Sequence, residues 1–115
     1  MIYAVSFHSH LKTLWKQGKL PSVKYGIYGG KLTKANVTDE HLKPKSLGGS
    51  NSQSNIALAV DVLNHKRSSN PIEDYLTYEM LQNYCFQFKG VRCNGFNGDD
   101  YVKKIRKVIK GLVDD

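Results

Sequence analysis

The sequence predicts an α+β fold in which a two-stranded antiparallel hairpin leads into a helix and further helices flank this core. Two short apolar or β-branched runs begin at Val37 and Ile56, and a polar loop with Pro44 and a Gly-Gly pair separates them. A helical segment that begins at Asp61 follows the second run directly. Residues 99–115 repeat apolar residues at helical spacing and carry cations on the other side.

The length of 115 residues predicts one domain with a small core. Within it we expect a core over residues 25–71, an N-terminal extension over 1–24 and a helical part over 72–115. No stretch approaches the ~18 apolar residues of a membrane helix, and the N-terminus lacks the pattern of a signal peptide. Cys85 and Cys93 alone do not suggest a disulfide framework, so we expect reduced thiols and a cytoplasmic location.

The net charge of +7 and the pI near 9.4 favour a polyanionic partner. An ordinary basic surface would give the same composition. Charge by itself therefore does not distinguish a nucleic-acid-binding protein from any other basic protein.

The first 24 residues predict a helix that starts at Ser6 or Ser9 and ends at Gly18, before Pro21 blocks its continuation. A short strand is expected over Ile2–Val5, ahead of this helix. The apolar side of the helix consists of Leu11, Leu14 and Trp15.

The segment after residue 69 predicts a further helix, with Asn70 as its N-cap, Pro71 in its first turn and its end near Gly90. Turns are predicted at Asn94-Gly95 and Asn97-Gly98. The apolar stripe of the helix consists of Ile72, Tyr75, Leu76, Met80 and Tyr84.

The last predicted helix is basic and amphipathic. Asp99 or Asp100 is expected to cap it, and no acidic residue occurs between Tyr101 and Val113. Such a face is either solvated or in contact with nucleic acid, and its uniform charge favours nucleic acid. The candidate nucleic-acid-binding residues are Lys103, Lys104, Arg106, Lys107 and Lys110.

The centre of the chain carries a string of chemically distinctive residues. Asn55 lies fourteen positions after His41, and Asn64 lies nine positions after Asn55. The string resembles the HNH nuclease family, whose core is the ββα-metal finger, and the HNH domain of RNA-guided CRISPR nucleases has the same two intervals. The resemblance covers roughly residues 25–71 and is closest to small free-standing endonucleases of phages and mobile elements. The residues that carry it are Glu40, His41, Pro44, Gly48, Gly49, Asn55 and Asn64.

The resemblance implies hydrolysis of phosphodiester bonds in DNA with one divalent ion. The expected ion is Mg²⁺, with Mn²⁺ as its substitute. His41 would be the general base that activates water, and Asn55 would hold the His41 backbone and the loop. Glu40 and Asn64 would hold the ion through oxygen atoms, and the ion would stabilise the leaving oxygen. The alternative ligands are Asp39 and His65.

Cations near this string are candidates for phosphate contacts. DNA is the expected partner, with RNA, a protein partner and a homodimer left open. The candidate residues are Lys43 and Lys45 in the loop and Lys66 and Arg67 on the following helix.

Many HNH proteins also carry two Cys-x-x-Cys pairs that bind a structural zinc ion. This sequence has Gly26-Ile27-Tyr28-Gly29-Gly30 at the first pair and Val60 and Leu63 at the second. A structural zinc needs four closed ligands, usually cysteine or histidine, so none is expected here. We expect Val60 and Leu63 to form apolar packing at this place, beside a glycine-rich turn.

A second interpretation is an HNH fold that cleaves weakly or not at all and binds nucleic acid or a protein, for example as an inhibitor. Glu40, where the family usually has aspartate, favours this interpretation. The spacing of His41, Asn55 and Asn64 favours the nuclease.

Overall fold

The computed structural model describes residues 7–44, 48–49, 53–67 and 70–113. Over these residues the chain is an α+β fold built from a two-stranded antiparallel hairpin, a second short hairpin and four α-helices. Single 3₁₀ turns occur at Gln53–Asn55 and Ile72–Asp74. The regular elements are α1 (Phe7–Lys16), β1 (Val37–His41), β2 (Ile56–Val60), α2 (Asp61–Arg67), α3 (Tyr78–Phe86), β3 (Arg92–Cys93), β4 (Phe96–Asn97) and α4 (Gly98–Val113).

The central hairpin pairs β1 with β2 in a register that runs from Val37 opposite Val60 to His41 opposite Ile56. Helix α2 begins at Asp61, the residue directly after β2, so the predicted order of strand, loop, strand and helix is observed. Four of the five residues of β2 are fully buried, because helices cover the strand on both faces. The hairpin therefore lies at the centre of the core.

The predicted N-terminal helix is confirmed as α1. Leu11 and Leu14 are buried against the hairpin, and the half-buried Trp15 donates its indole N–H to the carbonyl oxygen of Val23 at 2.6 Å. The chain leaves the helix through Gly18, whose φ of +77° favours glycine. The strand predicted over Ile2–Val5 lies outside the described residues.

Two buried tyrosines join the C-terminal helices to the outer edge of β2. Tyr101 donates to the carbonyl oxygen of Ile56 at 2.6 Å, and the Tyr84 oxygen accepts from the backbone N–H of Leu58 at 2.9 Å. The two hydroxyls lie 2.9 Å apart, and because a carbonyl only accepts, Tyr84 must donate to Tyr101. Burial raises the pKa of both phenols. These bonds satisfy strand atoms that would otherwise be buried without partners.

The helix predicted to start at Pro71 begins seven residues later than expected. Residues Ile72–Asp74 form one 3₁₀ turn, and α3 starts after Thr77, whose side chain accepts from the Met80 N–H at 3.1 Å. Tyr75 donates to the Lys66 carbonyl oxygen at 2.8 Å and fixes the chain in between. The Tyr75 contact and the N-cap at Thr77 therefore determine where α3 starts, and the helix-start pattern at Asn70 and Pro71 does not.

Helix α4 has the predicted amphipathic pattern but a different cap. The Asn97 side chain accepts from the N–H of Asp100 at 2.9 Å, so Asn97 takes the role predicted for Asp99 or Asp100. Asn94 and Gly95 form the predicted turn, with φ values of +45° and +81°. Across the described part of the chain, no helix combines the length and apolarity needed to cross a membrane.

Candidate active site at the end of the hairpin

His41 is the last residue of β1, and its side chain is half-buried at the end of the hairpin. Its carbonyl oxygen accepts from Arg67 Nη1 at 3.1 Å. The next residue, Leu42, donates its N–H to the Asn55 carbonyl oxygen at 2.9 Å and is fully buried. The backbone around His41 is therefore held from two sides, while its imidazole keeps partial access to solvent.

The buried Asn55 side chain clamps the turn that follows His41. Its Oδ1 accepts from the Lys43 N–H at 2.8 Å, and its Nδ2 donates to the Lys43 carbonyl oxygen at 3.0 Å. The sequence predicted that Asn55 would hold the His41 backbone and the loop. The two carboxamide bonds described here hold the loop at Lys43, two residues after His41.

Gly49 packs on the same turn. It donates its N–H to the Pro44 carbonyl oxygen at 2.9 Å, and a Cβ on Gly49 would lie only 1.7 Å from the Lys43 oxygen. Only glycine fits this close backbone approach. Three residues of the motif, Pro44, Gly49 and Asn55, thus meet at the backbone of Lys43, two residues after His41.

Glu40 lies on the other face of β1, where its carboxylate is buried. The Tyr28 hydroxyl donates to Glu40 Oε2 at 2.5 Å, and Arg67 Nη1 pairs with the same oxygen at 3.0 Å. Burial, together with the neighbouring Glu40 carboxylate, raises the pKa of Tyr28 above its ordinary value, so the phenol keeps its proton.

Arg67 occupies a position that contradicts its predicted role as a phosphate contact. Its side chain is only 3% exposed. Besides Glu40 and the His41 carbonyl, the guanidinium donates to the carbonyl oxygens of Leu42 at 3.3 Å and Asn70 at 3.0 Å. A guanidinium with this many internal acceptors is a structural anchor, and it fixes the strand end that carries His41.

Asn64 lies one helical turn before Arg67 on α2 and faces the same carboxylate. Hydrogen bonding decides the orientation of its amide, since oxygen and nitrogen have nearly the same shape. With the nitrogen toward Glu40, Asn64 donates to Oε1 at 2.8 Å and also lies 3.2 Å from Oε2. In the opposite orientation of the amide, the nitrogen donates to the Asp39 carbonyl oxygen at 3.3 Å, and the amide oxygen lies beside Oε1.

This pair of side chains has the donor set that a hard divalent cation requires. A carboxylate oxygen and a carboxamide oxygen are the kinds of ligand that such an ion takes in proteins. Oε1 of Glu40 is available for this role, whereas Oε2 is taken by Arg67 and Tyr28. Among the described residues, no three His, Cys, Asp or Glu side chains gather into a metal-binding group, so an ion here would be held by this pair, substrate and water.

The alternative ligands are placed differently. His65 and Lys66 are exposed and line an open hollow with Asp61 and Val62, around the helix from the side that faces Glu40. The geometry therefore favours Asn64 over His65. Asp39 is half-buried, and its backbone oxygen lies within reach of Asn64, as described above.

The glycine-rich turn before β1 packs against the start of α2. Gly29 and Gly30 have φ values of +85° and +80°, and Gly26 donates to the Gly30 oxygen at 3.1 Å. A Cβ on Gly30 would lie 3.1 Å from a methyl group of Val60 and 3.2 Å from one of Leu63. Apolar contacts thus form at the positions where many HNH proteins carry cysteine pairs. The lack of a structural zinc stays a prediction.

The predicted nucleic-acid-binding cations lie in two groups. Lys43 and Lys66 are exposed near the site, and Lys45 lies outside the described residues. On α4, Lys104 pairs with Asp100 at 2.9 Å, and the half-buried Arg106 donates to Gln82 at 2.5 Å. The remaining exposed cations of this helix are Lys103, Lys107 and Lys110.

Compared with known proteins, the chain matches no family model, no curated sequence and no solved structure. The interpretation of the site therefore depends on its own residues and geometry. Sequence reasoning singled out His41, Asn55, Glu40 and Asn64, but it missed Tyr28, for which the sequence carries no signal. Sequence reasoning also missed the inward position of Arg67, which depends on acceptors contributed by several segments of the chain.

Proposed function

We propose that the protein is a metal-dependent endonuclease of the HNH type that hydrolyses phosphodiester bonds in DNA. The observation that carries the proposal is the convergence of Asn55 and Gly49 on the turn directly after His41. A half-exposed histidine on a rigidly held strand end is suited to act on a bound substrate. Glu40, on the opposite face of β1, lies beside Asn64, and both side chains carry oxygen atoms of the kind that bind a divalent ion.

His41 takes a proton from the attacking water. Imidazole is the side chain best matched to this task near neutral pH. Arg67 and Asn55 act as positioning residues, since Arg67 bonds to the His41 carbonyl oxygen and Asn55 bonds to the backbone of Lys43, two residues further on. Their contribution is to keep the imidazole at a fixed distance from the phosphate.

Glu40 and Asn64 are the residues that would hold the divalent ion. When bound, the ion supplies Lewis-acid stabilisation for the oxygen that leaves phosphorus. Asn64 faces the Glu40 carboxylate from α2 and would contribute its carboxamide oxygen to the ion.

The second candidate is an HNH fold that binds nucleic acid or a partner protein without cleavage. The buried ion pair between Glu40 and Arg67 favours it, because a cation of the protein already neutralises the carboxylate. The two candidates differ in whether the purified protein cuts DNA and whether cutting depends on Asn64.

Supercoiled plasmid relaxation with magnesium, manganese or chelator separates them. The wild type is expected to nick only with a divalent ion, and Asn64→Ala is expected to lose activity with magnesium and regain part of it in excess manganese. Lys66→Ala, an exposed neighbour on α2, is the matched control for general weakening of DNA contacts. DNA binding with no nicking in any metal would support the second candidate.

A further inference from the structure

A groove of about 550 Å³ runs between α3 and α4, in the helical part of the chain beyond residue 71. Its floor includes Val102, and Cys85 contributes to its wall from the buried side of α3. The groove contains no residue of the candidate active site. Its remaining side chains are polar, charged or aromatic: Gln82, Asn83, Phe86, Lys89, Asp99, Lys103 and Arg106.

Phe86 is 73% exposed at the edge of this groove. Its neighbours Tyr84 and Cys85 point into the core, so the last turn of α3 presents one aromatic ring to solvent. The Lys89 ammonium lies 6.0 Å from the centre of the ring, at the limit of a cation–π contact. An isolated exposed apolar residue is common on proteins, but here the ring lies among cations.

The charges around the groove are unequal. Lys89, Lys103 and Arg106 line it, whereas its carboxylate, Asp99, is already paired with Arg92 at 3.1 Å. Beyond the groove, Lys107 and Lys110 continue the basic face of α4, and the helix rises about 10 Å from Lys103 to Lys110. The phosphates of a nucleic-acid backbone would therefore find positive charge both in the groove and along α4.

We propose that this groove binds a single-stranded segment of nucleic acid, with an unpaired base stacked on Phe86 and its phosphates on Lys103 and Arg106. Stacking on an aromatic ring requires a base whose face is free, and a duplex offers such a face only at its ends. The amide of Asn83 can bond to base edges. The inference deepens the proposed function, on which its link to cleavage rests: the substrate of the His41 site would be DNA with an unpaired segment, such as a flap or junction.

The test is fluorescence anisotropy with a labelled thymidine 12-mer and a duplex of equal length, in chelator so that no cleavage occurs. Phe86→Ala is expected to weaken binding of the single strand by roughly 5- to 150-fold, the equivalent of about 1–3 kcal/mol per stacked base. Its affinity for the duplex is expected to change less than twofold. Tyr78→Ala is the matched control, because Tyr78 is 74% exposed on the same helix but does not line the groove.

A second variant tests the phosphate contacts. Lys103→Gln combined with Arg106→Gln is expected to reduce the slope of log K against log salt by roughly 1.4 for the single strand, about 0.7 for each lost phosphate contact. Circular dichroism melting checks that each variant is folded. Equal single-strand affinities for Phe86→Ala, Tyr78→Ala and the wild type would overturn the proposal, as would single-strand binding no tighter than duplex binding.

The outcomes separate this inference from the proposed function. Single-strand binding that depends on Phe86, with no cleavage by the wild type or any variant, would support the binding role of the groove and refute the proposed nuclease activity. Cleavage that depends on His41 but is unchanged by Phe86→Ala on flap substrates would refute the binding role of the groove and support the proposed nuclease activity. If the wild type binds no single strand, the proposal is overturned and a protein becomes the better candidate occupant.

Discussion

Arg67→Met is expected to destabilise the protein strongly, because it leaves the Glu40 carboxylate buried beside Tyr28 without its cation. Both partners of the pair are less than a tenth exposed, so solvent screens their interaction little. Removing one partner of a buried ion pair costs about 3–5 kcal/mol. A small domain has only about 5–15 kcal/mol of total stability, so the loss is a large part of it.

At roughly 4 °C per kcal/mol for a chain of this size, the melting temperature should fall by about 12–20 °C. Lys66→Met is the matched control, because Lys66 is the preceding cation on α2 and is exposed; a surface change of this kind stays within about 0.5 kcal/mol. The assay is thermal and urea unfolding followed by circular dichroism at pH 7.

The double variant Glu40→Gln with Arg67→Met removes both charges of the pair. It is expected to be more stable than Arg67→Met alone, because the carboxamide carries no charge that burial penalises. A melting temperature for Arg67→Met within about 2 °C of the wild type would refute the reasoning. An equal loss in Lys66→Met would refute it as well, since the effect would then not come from the buried pair.

Two further predictions concern hydrogen bonds that hold the hairpin. Asn55→Ala removes both bonds to the Lys43 backbone and should cost about 1–3 kcal/mol in urea unfolding. Asn55→Asp should be no more stable than Asn55→Ala at pH 7, because it buries a carboxylate whose second oxygen faces the Lys43 carbonyl oxygen. Alkaline solution should unfold the protein steeply above pH 10, because burial raises the pKa of three tyrosines that ionise near pH 10.0 in the unfolded chain. Their stabilising effect is complete below pH 10 and is lost as the pH rises, by about 4 kcal/mol in all at pH 11. The three residues are Tyr28, Tyr84 and Tyr101.

These two predictions have clear contradictory outcomes. Equal stabilities of Asn55→Ala and the wild type would show that the Lys43 clamp contributes little. For the alkaline transition, absorbance at 295 nm reports phenol ionisation. Smooth titration of all tyrosines near pH 10 without loss of the circular dichroism signal would contradict the burial of the three phenols.

The sequence was most informative where the pattern was local. The β-branched run at Val37, the apolar run at Ile56 and the Asp61 helix start together predicted the hairpin and α2, because alternation and capping are encoded by neighbouring residues. The start of α3 could not be found in this way. Its position depends on Tyr75, which bonds to the Lys66 carbonyl, and on a cap at Thr77 that competes with Asn70.

The candidate site was predictable in its motif but not in its buried network. The spacing singled out His41, Asn55 and Asn64, and the structure places Asn55 at the turn after His41 and Asn64 beside Glu40. The inward turn of Arg67 depends on buried acceptors contributed by different segments, including the Leu42 carbonyl and the Tyr28 hydroxyl. Such contacts arise from the tertiary packing of residues far apart in the chain, so a basic residue next to a motif reads equally well as a phosphate contact or as an anchor.

The measurement that tests the central claim most directly is single-turnover nicking of supercoiled DNA by wild type, His41→Ala and His65→Ala in magnesium. His65 is the matched control, since it is a nearby histidine exposed on the far side of α2. The account predicts that His41→Ala loses at least a hundredfold in rate, as expected for removal of a general base, while remaining folded and able to bind DNA, and that His65→Ala cuts at nearly the wild-type rate. Undiminished nicking by His41→Ala would contradict the assignment of His41 as the base.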